Sequence, residues 1–480
     1  MSVKTVSKRI GYTVLTLLVV LLLFIVGVLF VDNYNTSYLK ISQNEDFRSN
    51  SYLIKNVNVI PMSRDTLLEH YDVLVKDGKI AEIAPEIKPI DFKVIDGNSS
   101  YLMPGLIDMH VHVWDEYELG LYLANGVTAV RNVWGLPMHL RMKENINNNQ
   151  IIAPSFYTTG PKLTGQQFIG DDNLNLFSAE EAIEKVKSYK DKGYDFLKTY
   201  YGLPEDNFSA IIEQARISDM DIVAHPSQKV PFSFHLNSQI KSIEHAEEIV
   251  QQPLQFDLDT LKLRPIIDTI SQFKQANYCP TITVFYNIYK MMINDAILES
   301  ESIEYINPLI KSEDSQNQFD RWSNAKQSDP ETVQRIKSQH EFHLTIVQKL
   351  HEAGVNIICG TDAGIGVTLP GFSIHEELEF YKQAGLSNYE VLKTATINAA
   401  QTHRIMNDLG SVESGKIANL ILLEANPLED LRTLQNPKWV MVQGRFLSSD
   451  VLNGFKSKAK DRPNFMATAL RYAENLLFER

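Results

Sequence analysis

Cysteine is scarce in this chain: two in 480 residues, Cys279 and Cys359. Two thiols cannot build a disulfide framework, and without a C-x-x-C pair thiolate zinc sites are excluded. Both lie in apolar runs and read as small buried hydrophobes. Positive charge is also short, with 46 Lys and Arg against 59 Asp and Glu and a net charge of −13. A phosphate-reading basic surface, and with it nucleic-acid binding, is therefore not expected. There is no internal repeat and no low-complexity tract. Hydrophobic residues at 44% and charged residues at 22% exclude wholesale disorder. At about 150 residues per domain, the length suits two or three domains or one large barrel with an appendage. Metal chemistry, if present, must use imidazoles and carboxylates, and twelve histidines allow that.

One long apolar run is present. Tyr12 to Val31 are uncharged throughout, and about 20 such residues span a bilayer. Lys4, Lys8 and Arg9 precede the run, and positive flanks stay in the cytoplasm. No small-x-small cleavage site follows, and no cysteine ends the run for lipid attachment. The reading is a cytoplasmic N-terminus (1–11), a transmembrane signal anchor (12–31) and a polar linker (32–50). The remainder is then membrane-anchored and extracytoplasmic, periplasmic or extracellular.

Residues 51–62 and 71–84 alternate β-branched and polar residues around a turn at Asp77-Gly78, the pattern of paired strands. A similar pattern returns at 418–424 and 439–447, with a turn at Gln443-Gly444. The expectation is a small composite β-sandwich domain built from 51–104 and 409–455, with a helical tail at 456–480. The middle, 105–408, alternates short apolar runs with helical stretches, which implies parallel strands and crossover helices. Its length suits a (β/α)8 TIM-like barrel with insertions, about 250 residues being typical. The expected fold class is thus α/β.

His110 and His112 stand two apart in a strand-like run and so face one side. Alone, such a pair does not separate a metal site from structural histidines. Lys198, His225, His245 and Asp362 each end a short apolar run, and barrel active sites are built at strand C-terminal ends. Lys198 to His225 is 27 residues and His225 to His245 is 20, each fitting one barrel unit of about 31 residues. His112 to Lys198, at 86 residues, leaves room for strands at 126–134 and 155–160. His245 to Asp362 is 117 residues, with strand seven expected at 277–285, strand eight at 356–362 and a polar helical insertion at 287–337. His70 and His139 read as surface or packing residues, and His340, His343 and His351 as a solvated helix face. His375 and His403 stay open. Arg131, Tyr200 and Tyr201 follow strand positions and are candidates to line a substrate pocket.

These motifs resemble the amidohydrolase superfamily, in its branch of imidazolonepropionase-like enzymes and metal-dependent prolidases. The resemblance rests on Met103-Pro-Gly-Leu-Ile-Asp-Met-His-Val-His112, Lys198, Ala224-His225, Ile243-Glu-His-Ala246, Gly360-Thr-Asp-Ala-Gly364 and the closing stretch from Gly410 to Leu420. Asn419 stands where the family usually has Asp. The resemblance implies two divalent ions, zinc being expected: His110, His112 and Asp362 on the first, His225 and His245 on the second. Lys198, carboxylated by CO2, would bridge them as a carbamate, since an ammonium of pKa about 10.4 cannot ligate a cation. Asp362 would be the catalytic proton carrier. The implied activity is hydrolysis of amide or peptide bonds in small-molecule substrates, Xaa-Pro dipeptides or N-acyl amino acids. The alternatives are a cyclic-amide hydrolase of the imidazolonepropionase type and an inactive membrane-anchored binding module. A homo-oligomer is compatible with such a barrel.

Overall fold

The computed structural model describes residues 3–41, 51–88, 92–166 and 173–479. Strands Leu106–Val111, Val127–Asn132 and Ser155–Thr158 pair in parallel as one sheet. Phe196–Thr199, Asp221–Ala224, Ile240–Glu244, Asn277–Cys279 and Asn356–Ile357 follow in chain order in a second parallel sheet. That sheet also carries Lys162–Gly165 and Asn173–Leu176 at one edge, two strands that apolar patterning did not predict. The two sheets meet at two seams. One is a parallel bridge between Thr159 and Phe196, the other between Val111 and Ala363. At the second seam Met109 N–H donates to the Cys359 carbonyl and His112 N–H to that of Ala363. The architecture is a mixed α/β fold of TIM-barrel type.

The expected strand at 277–285 is shorter. It stops at Cys279 because Pro280 has no N–H for the ladder, and helix Ile282–Ile293 begins directly after it. The Glu377 carboxylate accepts from the Ile282 and Thr283 N–H groups at 2.9 and 2.7 Å, satisfying donors a helix start leaves open. The expected polar insertion at 287–337 is helical, but it also builds its own apolar core from Met291, Ile303, Ile306 and Ile310 against Val367.

Strands from both flanks share one eight-stranded sheet, with Tyr101–Pro104 paired to Leu420–Leu423 and Tyr52–Val59 paired to Leu68–Lys76. It is a single curled sheet rather than two separate ones. Tyr52 and Phe446 lie on strands four places apart in its order, yet their rings are 6.4 Å apart. Val57, Val73, Leu102, Leu420 and Met441 pack inside the curl. Asn419 joins this sheet to the barrel: its amide donates to the Thr128 carbonyl at 3.0 Å and accepts from Gln443 N–H at 2.7 Å. An ionised Asp there would accept but could not donate. Past the sheet the chain forms helices Ser449–Ala459 and Phe465–Phe478, so the tail begins before residue 456.

The N-terminal helix runs Val3–Asn35. Its stretch Arg9–Asn35 is long and apolar enough to cross a membrane, by length and composition, and its most apolar window is not buried at all. The segment expected as a linker is docked instead. Asp32 is 4% exposed and pairs with Arg471 at 2.6 Å. Leu39 is fully buried, Ile41 N–H donates to the Gln150 carbonyl, and Ile152 N–H donates to that of Leu39. Residues 42–50 lie outside the described residues.

Candidate metal centre

The first strand carries His110, and His112 follows directly after its last residue, Val111, so the two imidazoles keep the same side. Opposite them, the turn after Asn356–Ile357 carries Asp362. His112 Nε2 lies 2.8 Å and His110 Nε2 3.3 Å from Asp362 Oδ1. Two glycines make this approach possible. A Cβ on Gly360 would sit 2.7 Å from His110 Cβ and 2.5 Å from Cys279 Sγ, and one on Gly364 would sit 2.0 Å from the His112 carbonyl oxygen. Gly364 also has φ +97, a region open to glycine at little cost. The Gly-Thr-Asp-Ala-Gly run therefore lets the chain lie against the histidine strand.

His245 and Asp362 both have positive φ, 71 and 60, a strained conformation for residues with a Cβ. His245 sits 4.8 Å from His110 and 4.5 Å from His225, ring to ring. Its Nδ1 lies 2.7 Å from Thr281 Oγ1. Among the described residues, His110, His112 and Asp362 offer ligand atoms close enough to hold one ion. Lys198 is 1% exposed, and among the described residues its Nζ has no hydrogen-bond partner; nor does His225 Nδ1. A buried amine left without a partner is costly. Burial pulls the Lys198 ammonium down to about 8, although Glu244 and Asp362 hold it up. Donors of this kind fit divalent cations that take imidazole and carboxylate.

Sequence reasoning did not single out the groups behind the ligands. Glu244 Oε2 lies 2.6 Å from His110 Nδ1 and orients that ring, as second partners of ligating histidines do. Burial raises the Glu244 carboxyl, but Arg131 and then His110 bring it well below the usual range. Asp108 accepts from the His110 N–H at 3.2 Å and from Thr361 Oγ1 at 2.7 Å, holding the two ligand segments together. His225 Nε2 lies 3.1 Å from Glu248 Oε1, which also accepts from the Tyr201 hydroxyl at 2.8 Å. The available signal was strand alternation: Ser242 and Glu244 stand two apart and share the inward face.

Arg131 does not line a pocket. It is fully buried, because its guanidinium is consumed by the Met109 carbonyl, Ser242, His403 and Glu244 at 2.6 to 2.9 Å. Tyr200 and Tyr201 stand beside the centre, with rings 4.5 and 4.2 Å from that of His225. Lys162, on an unexpected strand, lies 4.8 Å over the Tyr200 ring. A cavity of about 490 Å³ opens on His112, walled by Trp114, Leu309, Ile310 and Tyr472.

His340 and His343 are buried rather than solvated, packed against Tyr286 and Phe285. His139 is buried too, between Asn132 and the Val113 carbonyl. His403 bridges Arg131 and Asp221. Burial pushes His139, His340 and His403 down to about 4 and His343 to about 3. The folded state therefore keeps them neutral where the unfolded chain, at 6.5, takes up protons. Their stabilisation is complete above pH 6.5 and is lost as pH falls towards about 4. The melting temperature should decline steadily across that window, and His343→Gln should flatten the slope. An unchanged melting temperature from pH 7 to 4.5 would contradict this account.

The Amidohydrolase family profile matches residues 101–447. Ochratoxinase from Aspergillus niger is 35% identical over 404 residues, covering 71% of this chain and 73% of that protein. A dihydroorotase from Carboxydothermus hydrogenoformans is 52% identical over 63 residues, only 13% of this chain and 14% of that enzyme. Among solved structures, a bottromycin amidohydrolase aligns with TM-score 0.70 at 22% identity, covering 92% of this chain and 97% of that one. A Xaa-Pro dipeptidase with bound methionine aligns with TM-score 0.65 at 20% identity, covering 83% and 100%. At these identities the structural likenesses speak for the fold. The profile match spans most of the chain and agrees with the histidine and aspartate motifs around His112 and Asp362, so the chain belongs to the amidohydrolase family.

Proposed function

We propose that this protein is a metal-dependent hydrolase of amide bonds in small molecules, with Xaa-Pro dipeptides or N-acyl amino acids as the substrate class. The observation that carries the reading is the convergence of His110, His112 and Asp362 beside a buried, partnerless Lys198 amine. In it, His110, His112 and Asp362 would hold one divalent ion, His225 and His245 would hold a second, and Lys198 would supply a further anionic ligand as its CO2-derived carbamate. Zinc is the expected metal. When bound, such ions lower the pKa of a water and polarise a carbonyl.

The chain's own residues supply the rest. Glu244 fixes the His110 ring and Thr281 that of His245, so the imidazoles meet the centre pre-oriented. Asp362 takes the proton of the attacking water and delivers it to the leaving nitrogen as the C–O bond forms and the C–N bond breaks. Trp114 and Tyr472 shape an apolar entry, and Tyr200 and Tyr201 flank the His225 side. The N-terminal helix anchors the enzyme with its catalytic domain outside the cytoplasm, in keeping with Lys4, Lys8 and Arg9 preceding the apolar run.

Metal analysis of the purified protein, followed by a screen of dipeptides and N-acyl amino acids, tests the chemistry. About two equivalents of metal and chelator-sensitive release of amino acid are expected. A metal-free protein as active as one supplied with zinc would overturn the reading. Protease added to intact spheroplasts should remove the catalytic domain, and full protection until lysis would reverse the topology.

A further inference from the structure

The C-terminal helix Phe465–Phe478 presents two unlike faces. Ala467, Thr468 and Asn475 are buried against the body of the protein, and Arg471 reaches Asp32. On the other side, Phe465, Met466, Ala469, Leu470, Ala473, Leu476 and Leu477 form one uninterrupted apolar stripe at helical spacing. Leu477 is 75% exposed, and Met466 and Leu476 are 44% and 39% exposed. No charged residue interrupts the stripe; Arg471 and Glu474 project elsewhere, with Glu474 paired to Arg141. Ala469, Leu470 and Ala473, between the exposed ends of the stripe, are half-buried, and apolar surface showing along one helix face in this way marks an interaction site.

The position of the stripe identifies what covers it. Ile25, Val28, Leu29 and Asp32 of the N-terminal helix recur at helical spacing and are each buried or half-buried, and this helix packs against the C-terminal one. Asp32 is the first charge after the apolar run, so its partner Arg471 marks the level at which that run ends. About half a helical turn separates Arg471 from the middle of the stripe at 100° per residue. Arg471 therefore meets the N-terminal helix where its apolar run ends, and the stripe occupies the opposite side of the C-terminal helix at that level.

We propose that the C-terminal helix lies in the surface of the same bilayer that the N-terminal helix spans, its stripe in contact with lipid. This rests on the reading of Arg9–Asn35 as a membrane span. Interfacial helices bury an apolar face at the headgroup boundary in this way. With a net charge of −13, the contact is apolar, not an attraction to anionic headgroups. Tyr472, on the same helix, walls the cavity that opens on His112, so the entry to the catalytic centre sits beside the lipid surface.

The full chain, reconstituted in phosphatidylcholine vesicles, tests this by spin labelling. Single cysteines are introduced as Met466→Cys and Leu477→Cys, with Leu21→Cys in the apolar run and Asn324→Cys on the exposed insertion as references. Cys279 and Cys359 are buried and should not take the label. At Met466 and Leu477, collisions with oxygen should exceed those with a water-soluble nickel chelate several-fold, as at Leu21 and opposite to Asn324. Nickel-dominated stripe positions with a lipid-exposed Leu21 would overturn this inference alone. Nickel access at Leu21 as well would overturn the span and the inference together. Stripe positions shielded from both reagents would assign the face to a second copy of the chain and overturn the lipid contact.

Discussion

Lys198→Ala is expected to lose nearly all turnover, by a factor of about 10³ or more, because an activated water and its supports act as a unit in metal hydrolases. The amine is buried with no partner among the described residues, so removing it should leave the fold intact, and its effect is read directly on the chemistry through metal content. Under the carbamate reading, the variant loses the anion shared by the two ions and binds metal more weakly. Acetate or propionate should restore part of its activity, since a small carboxylate can occupy the vacated space, whereas bicarbonate should not. Wild-type enzyme reconstituted with metal and bicarbonate should exceed enzyme reconstituted without CO2. Full metal content and full turnover in Lys198→Ala would end the carbamate model. So would a native structure of active enzyme with an unmodified lysine.

The largest expected effect on stability lies behind the ligands. Arg131 and Glu244 are both fully buried and meet at 2.9 Å, and Arg131 also holds the Met109 carbonyl beside His110. Arg131→Met leaves the Glu244 carboxylate buried without its cation, and breaking a buried pair in this way costs about 3–5 kcal/mol. Denaturant titration should show that loss. The double variant Arg131→Met with Glu244→Gln should be more stable than Arg131→Met, because no charge is left stranded. If Arg131→Met matched wild type in stability, the pair would carry no structural burden.

The candidate ligand residues could be picked out in the sequence because their chemistry coincides with local pattern. A histidine pair at spacing two, and single ionisable residues closing short apolar runs, can be read within a few positions. The structure brings His110, His112, His225, His245, Lys198 and Asp362 to one end of the barrel strands. What was not legible is long-range. Glu244 is partnered by Arg131, more than 100 positions earlier, and His403 by Asp221, farther still. No periodicity encodes such pairs, so Arg131 was read as a pocket residue. The helix carrying His340 and His343 looked solvated because its length and charge hide which face an insertion covers. Strand seven was overextended because the apolar residues after Pro280 suit a buried helix as well as a strand.

The docking of residues 32–41 also bears on where the catalytic part of the chain can be cut free of its apolar helix. Composition alone suggests starting a soluble fragment at residue 51, where the strand pattern begins. Such a fragment would discard Leu39 and its backbone bond to Ile152, and would leave Arg471 facing a surface from which Asp32 had gone. A fragment beginning at residue 32 keeps that ion pair and the packing of Tyr38 against Tyr117 and Phe455. The folding unit thus starts at the edge of the apolar run, because residues 32–41 pack onto the body directly after it.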